Sequence, residues 1–258
     1  MGQELRTRAI VGGILILVAL AALIFGGFFF WLLLVVAGVL MQGEWGDLIG
    51  AGAEHRKQAM FAISVPLAIL CPLAAGVGWL AFALMAAAFF YTLLVGRSLK
   101  LALGIPYICV PVMALLFLRG QMPDGQGLLL TFWALGLVWA TDIGAYFAGR
   151  SIGGPKLAPR VSPSKTWAGL GGGVLSALVV GFLLYRVADL PIQLAAASGL
   201  LAVAAQLGDL LESWMKRRAG VKDSGTLLPG HGGVMDRMDG VVTAVPLAAL
   251  CYLFLVLP

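Results

Sequence analysis

Nine stretches of mostly apolar residues follow one another along the chain, parted by short polar breaks. They lie near residues 9–25, 26–42, 59–75, 76–96, 102–119, 127–148, 167–185, 190–211 and 240–257. A membrane-spanning helix needs about 20 predominantly apolar residues, and each run approaches that length. The first two runs are separated only by Gly26 and Gly27, which requires a tight turn there. No internal repeat or low-complexity linker interrupts the series. The pattern therefore predicts an all-α fold, a polytopic bundle of nine transmembrane helices forming one membrane domain over 1–258.

Composition agrees with that pattern. The 258 residues are 61% hydrophobic and 11% charged, with a mean hydropathy of +0.99. Soluble domains carry about 45–50% apolar and about 25% charged residues, so a soluble fold is excluded. The N-terminal apolar run continues past residue 26 without a stop, and it is read as a retained anchor and not a cleaved leader. Cys71, Cys109 and Cys251 each sit inside an apolar run with no CxxC pairing, and they read as small buried hydrophobes.

Charge adds an orientation. The net charge is +5, but its placement says more than its sum and gives no reason to expect a nucleic-acid partner. With nine spans and a cytoplasmic N-terminus, fifteen of the seventeen basic residues fall on the cytoplasmic side, and only Arg119 and Arg186 fall on the other. The positive-inside rule supports this arrangement. Arg56, Lys57, Arg97 and Lys100 need no further explanation, and His55 reads as a plain loop residue. Two longer cytoplasmic connections remain, 149–166 and 212–239, and long ordered loops in compact proteins carry function.

Acidic residues in spans are expensive and point to a site. Asp142, Asp209, Glu212 and Asp239 all fall near the predicted cytoplasmic ends of their helices. Asp209, Glu212, Ser213 and Lys216 share one helix face at i, i+3, i+4 and i+7, and Asp236 and Asp239 are three apart. Such carboxylates either hold Mg²⁺ or pair with neighbouring bases, and for Glu212 the two readings are evenly matched. Lys216, Arg217, Arg218 and Lys222 follow. Gly225, Gly230, Gly232 and Gly233 then free the backbone to approach an anion, with His231 and Arg237 among them. The other loop adds Lys156, Arg160, Ser162, Ser164, Lys165 and Thr166. It is not a P-loop, since Ser164 and Pro159 stand where glycines are needed and no strand is expected before it. Carboxylates beside basic, glycine-rich loops suggest phosphoryl or nucleotidyl transfer.

The run from Ser213 through Lys216-Arg217, Lys222-Asp223, Gly225, Leu228-Pro229, His231-Gly232-Gly233 and Asp236-Arg237 to Asp239 resembles the signature of phosphatidate cytidylyltransferases. Upstream, Asp142, Ala145-Tyr146, Gly149-Arg150, Lys156-Leu157, Ser162-Pro163 and Lys165-Thr166 are similar too, so the likeness covers 139–240. Residues 1–138 match only in hydropathy, which leaves 139–258 as the catalytic part. Gly240 stands where the family pattern suggests Ser.

The resemblance implies Mg²⁺-dependent transfer of CMP from CTP to phosphatidic acid, giving CDP-diacylglycerol and pyrophosphate. It implies Asp209, Asp236 and Asp239 as metal ligands and catalytic groups, with Lys222, Arg237 and His231 also catalytic. Asp142, Ser162, Lys165, Thr166, Ser213, Lys216, Arg217, Gly232 and Gly233 would bind substrate. The expected partners are CTP, phosphatidic acid and the lipid bilayer. A second metal ion and a homodimer are left open. The expected location is a bacterial inner membrane, with the site facing the cytoplasm. A CTP-dependent lipid kinase and, further off, a transporter are the alternatives. A transporter predicts a polar path through mid-bilayer, whereas these acids gather at one face.

Overall fold

The computed structural model describes residues 2–120 and 126–257, with the side chains of 2–5 and 7–9 left aside. Nine α-helices occur among the described residues: α1 (Gly2–Phe25), α2 (Gly27–Leu48), α3 (Ala53–Ile69), α4 (Trp79–Gly96), α5 (Leu99–Gly120), α6 (Gln126–Ser151), α7 (Trp167–Ala188), α8 (Ile192–Arg218) and α9 (Met235–Leu255). A two-stranded hairpin, β1 (Lys156–Ala158) and β2 (Ser162–Thr166), interrupts them. The fold is an all-α polytopic membrane bundle. Among the described residues, seven helices (α2 and α4–α9) are long and apolar enough to cross a bilayer, and α1 adds a shorter apolar stretch, Ile10–Phe25.

Several boundaries differ from the hydropathy pattern. Helix α2 continues six residues beyond its apolar run and carries Gln42, Glu44 and Asp47 inside the helix. Helix α3 starts earlier and ends at Ile69, not near residue 75. The residue before a proline is disfavoured in the helical region, and Cys71-Pro72 follows at once. His55, expected in a loop, belongs to the first turn of α3. The 149–166 connection is not irregular throughout. Pro159 occupies the second position of a turn closed by the Val161 N–H on the Ala158 carbonyl at 3.1 Å, a place that suits the fixed φ of proline. The flanking residues then pair antiparallel, Lys156 with Thr166 and Ala158 with Ser162.

The Cα framework divides into two compact units. The first runs to Gly120 and takes up again from Arg218 to Met238. Its buried centre is one side of α5, where Leu101, Ile105, Ile108, Cys109 and Val112 recur at helical spacing. The absent side chain of Gly104 admits Trp45 of α2, whose indole N–H reaches the Lys100 carbonyl at 2.8 Å. Gly26 and Gly27, at the expected turn, have φ of +64° and +48°, a region that L side chains avoid. Arg119 lies against Gly26 and donates to the Leu23 and Ile24 carbonyls at 3.0 and 3.1 Å, which caps α1.

The second unit holds α6, the hairpin, α7, α8 as far as Arg217, and α9 from Asp239. Its seam is built from small residues. Gly169, Gly173, Ala177 and Gly181 recur every four positions along α7 and are buried. A Cβ at Gly173 would come within 2.9 Å of the Thr141 carbonyl, and one at Gly169 within 3.0 Å of the Ala145 carbonyl. Close backbone approach of this kind is how helices associate where lipid supplies no hydrophobic drive. Polar ties supplement it. Trp133 donates to Ser198 Oγ at 2.9 Å, and Thr243 donates to the Ala204 carbonyl at 2.7 Å.

Candidate active site

The sequence-predicted residues fall into two groups, one in each unit. In the second unit, an open cleft of about 540 Å³ lies beside the α6–α7 seam. Its lining includes Asp142, Tyr146, Gly149 and Arg150 from α6, Ser164, Lys165 and Thr166 from β2, and Gln206 and Asp209 from α8. Local structure explains how these meet. Thr166 ends β2 and serves as the N-cap of α7, its hydroxyl accepting from the Gly169 N–H at 3.0 Å. The cap fixes the chain direction, so Lys165, one residue earlier, points to α8. Its ammonium pairs with Asp209 Oδ2 and donates to Gln206 Oε1 at 3.1 Å.

Along α8 the predicted face is present. Ser213 donates to Asp209 Oδ1 at 3.2 Å, and Lys216 bonds Glu212 Oε1 at 3.0 Å. Glu212 is buried and pairs with a base, the blander of its two readings. Asp239 accepts from the Gly240 N–H at 2.7 Å and shares its electrostatic surroundings with Asp209, Asp142 and Lys216. Ser162 lies on β2, paired with Ala158, and Arg217 is exposed near the end of α8. Gln206 and the Arg150–Tyr146 pair were not singled out as site residues. The Arg150 guanidinium donates to the Tyr146 hydroxyl at 2.8 Å, and both side chains are exposed at the cleft. Tyr146 and Arg150 stand four apart on an apolar helix, which was the available signal.

Gly240 explains itself here. A Cβ at this position would lie 2.9 Å from Val138 Cγ1 and 3.5 Å from the Ala205 Cβ. Glycine therefore suits this chain where the family pattern suggests Ser.

The first unit holds Lys222, His231, Gly232, Gly233, Asp236 and Arg237. Lys222 and Arg237 are exposed. Asp236 is buried, and its Oδ2 accepts from the Ser224 N–H and the Gly233 N–H at 2.8 Å each and from Ser224 Oγ at 2.9 Å. The loop from 224 to 233 is therefore closed on this carboxylate. Gly232 has φ of +78°, and a Cβ there would lie 2.6 Å from Asp236 Oδ2, so glycine is required twice over. The His231 ring lies against α1 where Gly12 lacks a side chain. A further acid, Glu44 of α2, joins this cluster. Sequence reading passed over it because it lies beyond the apolar end of its run.

A divalent cation can be tested against the donor set. Among the described residues, no group of three His, Cys, Asp or Glu side chains forms a ready cage. Mg²⁺ does not need one, because it is commonly held by one or two carboxylates together with waters and substrate phosphates. Asp209 and Asp239, both half-buried in the second unit, are the two carboxylates available for that lesser requirement. The charge already lying on Asp209 Oδ2 is the Lys165 ammonium.

A model of the cytidylyltransferase family matches residues 6–255. Phosphatidate cytidylyltransferase of Brucella suis biovar 1 (strain 1330) is 49% identical over 155 residues, which are 59% of this chain and 56% of that protein. The enzyme of the same name from Bacillus subtilis (strain 168) is 46% identical over 133 residues, 50% of this chain and 49% of its own. That of Pseudomonas aeruginosa PAO1 is 41% identical over 158 residues, 60% and 57% of the two chains. The chain thus spans about half the length of the curated relatives it matches.

Proposed function

The chain belongs to the cytidylyltransferase family, and from that premise we propose that it transfers the CMP unit of CTP to phosphatidic acid. The observation that carries the reading is the cleft in which Lys165 is held on Asp209 beside Arg150 and Tyr146. Such a cleft offers cationic groups to a polyphosphate and carboxylates to its metal.

In this reaction a phosphate oxygen of phosphatidic acid attacks the α-phosphorus of CTP. A new P–O bond forms as the bond to the α,β-bridging oxygen breaks, and pyrophosphate leaves with that electron pair. A phosphate monoester is already anionic near neutral pH, with a second pKa of about 6, so no strong general base is required. Positioning and charge neutralisation supply the catalysis. Lys165, with Asp209 and Gln206 as its resting partners, is placed to follow phosphate charge as substrate enters. Arg150 contributes a planar cation suited to bidentate phosphate contact. Asp209 and Asp239 would hold Mg²⁺, which when bound neutralises triphosphate oxygens and eases departure of pyrophosphate. Lys222, His231 and Arg237 of the first unit act on phosphate charge. The nine helices cross a bacterial inner membrane with the N-terminus cytoplasmic. The acyl chains stay in lipid and CTP arrives from the cytoplasm.

The test is double labelling. Purified protein in lipid–detergent micelles receives phosphatidic acid and CTP labelled on either the α- or the γ-phosphate. Label from the α-position should enter lipid with release of one pyrophosphate, and chelation of divalent metal should stop it. Entry of γ-label with release of CDP would assign a lipid kinase instead.

A further inference from the structure

Glu44 stands on α2 and is 7% exposed. A buried carboxylate is costly unless donors of its own chain satisfy it. Two N–H groups do so here, that of Val234 to Oε1 and that of Met235 to Oε2 at 2.8 Å each, and the Ser224 hydroxyl lies 3.1 Å from Oε2. Val234 and Met235 are the last residue before α9 and its first. N–H groups at the start of a helix lack an intrahelical acceptor and carry the positive end of its dipole. Glu44 thus caps α9 from 191 residues earlier in the chain.

The loop is also shaped around this carboxylate. A Cβ at Gly225 would lie 2.9 Å from Glu44 Oε1, and one at Gly233 would lie 2.6 Å from it. The Ser224 hydroxyl lies within hydrogen-bond reach of both Glu44 Oε2 and Asp236 Oδ2, which joins the cap to the loop closure. Two glycines that read as openings for a substrate phosphate therefore leave room for an anion that the chain itself supplies.

We infer that Glu44 is a positioning residue for nucleotidyl transfer, holding residues 224–235 in the one conformation that presents Lys222, His231 and Arg237. This rests on the function proposed above, in which those three side chains act on phosphate. Glu44 touches no reacting atom.

The experiment compares wild type, Glu44→Gln and Glu44→Ala, each purified in micelles, by hydrogen exchange and by steady-state kinetics. Glu44→Ala should speed exchange across 224–236 by about tenfold or more while α3 and α5 keep wild-type protection, because opening is local. Its kcat should fall about tenfold or more with the KM for CTP within about threefold of wild type. Glu44→Gln, which keeps size and one acceptor oxygen, should lie between the two. Unchanged exchange across 224–236, or exchange raised equally in α3 and α5, would overturn the inference, as would wild-type kcat in Glu44→Ala. If wild type itself makes no liponucleotide, the functional proposal fails, and the exchange arm still decides whether Glu44 holds the loop.

Discussion

Asp236 and Asp209 are the same residue type in two very different settings. Asp236 is 8% exposed and gives one oxygen to three donors of its own loop. Glu44 beside it likewise accepts from two backbone N–H groups. Asp209 lines an open cleft, with its side chain 27% exposed and its main partner a lysine. A carboxylate oxygen held by three donors of its own loop is committed to structure. One paired with a mobile ammonium at a cleft can exchange that partner for metal or substrate. Under the proposed function, the first setting holds a loop and the second handles charge.

Substitutions can break this division. The largest expected effect is Asp209→Ala, which strands Lys165 and removes the cleft's central carboxylate. Turnover should fall by about a thousandfold, with thermal stability in micelles little changed, as expected for loss of an electrostatic group acting in the transition state. Lys165→Met comes next. It should lower kcat/KM for CTP about a hundredfold, read from initial rates over a CTP series, since charge-assisted contacts to phosphate are among the stronger hydrogen bonds. Asp236→Asn should act differently. It replaces one acceptor oxygen with an amide and should cost about 2 kcal/mol of loop order, visible as faster proteolysis or exchange within 224–236. If Asp236→Asn left that loop protected and lost only turnover, Asp236 would act in the chemistry and not in holding the loop.

The smallest effect sharpens a detail of the second unit. Gly240→Ser must displace Val138 and should cost about 1 kcal/mol in thermal unfolding, the lower end of overpacking penalties. Adding Val138→Ala should recover most of it. Equal stability of both single variants and the double would show that the α6–α9 contact is looser than described.

Much of the fold was legible because a bilayer imposes one rule on every span, a long apolar run. Each of the nine runs became a helix, and Gly26-Gly27 marked the break between the first two. Helix ends were less legible. Glu44 and Asp47 extend α2 past the point where hydropathy falls, since a helix continues wherever its polar residues find partners. The hairpin at 156–166 was hidden because its strands are three and five residues long, too short for a period-two pattern to register. The α8 face of Asp209, Glu212, Ser213 and Lys216 was readable from spacing alone, as local i, i+4 bonds are. The role of Glu44 was not, because its partners lie 180 to 191 residues away and no local pattern records them.

The most direct test of the account is transfer of α-phosphate label from CTP to phosphatidic acid by correctly inserted Asp209→Ala beside wild type. Wild type should label lipid and the variant about a thousandfold less, a loss on the scale expected for one preorganised electrostatic group. Wild-type labelling by Asp209→Ala would contradict it.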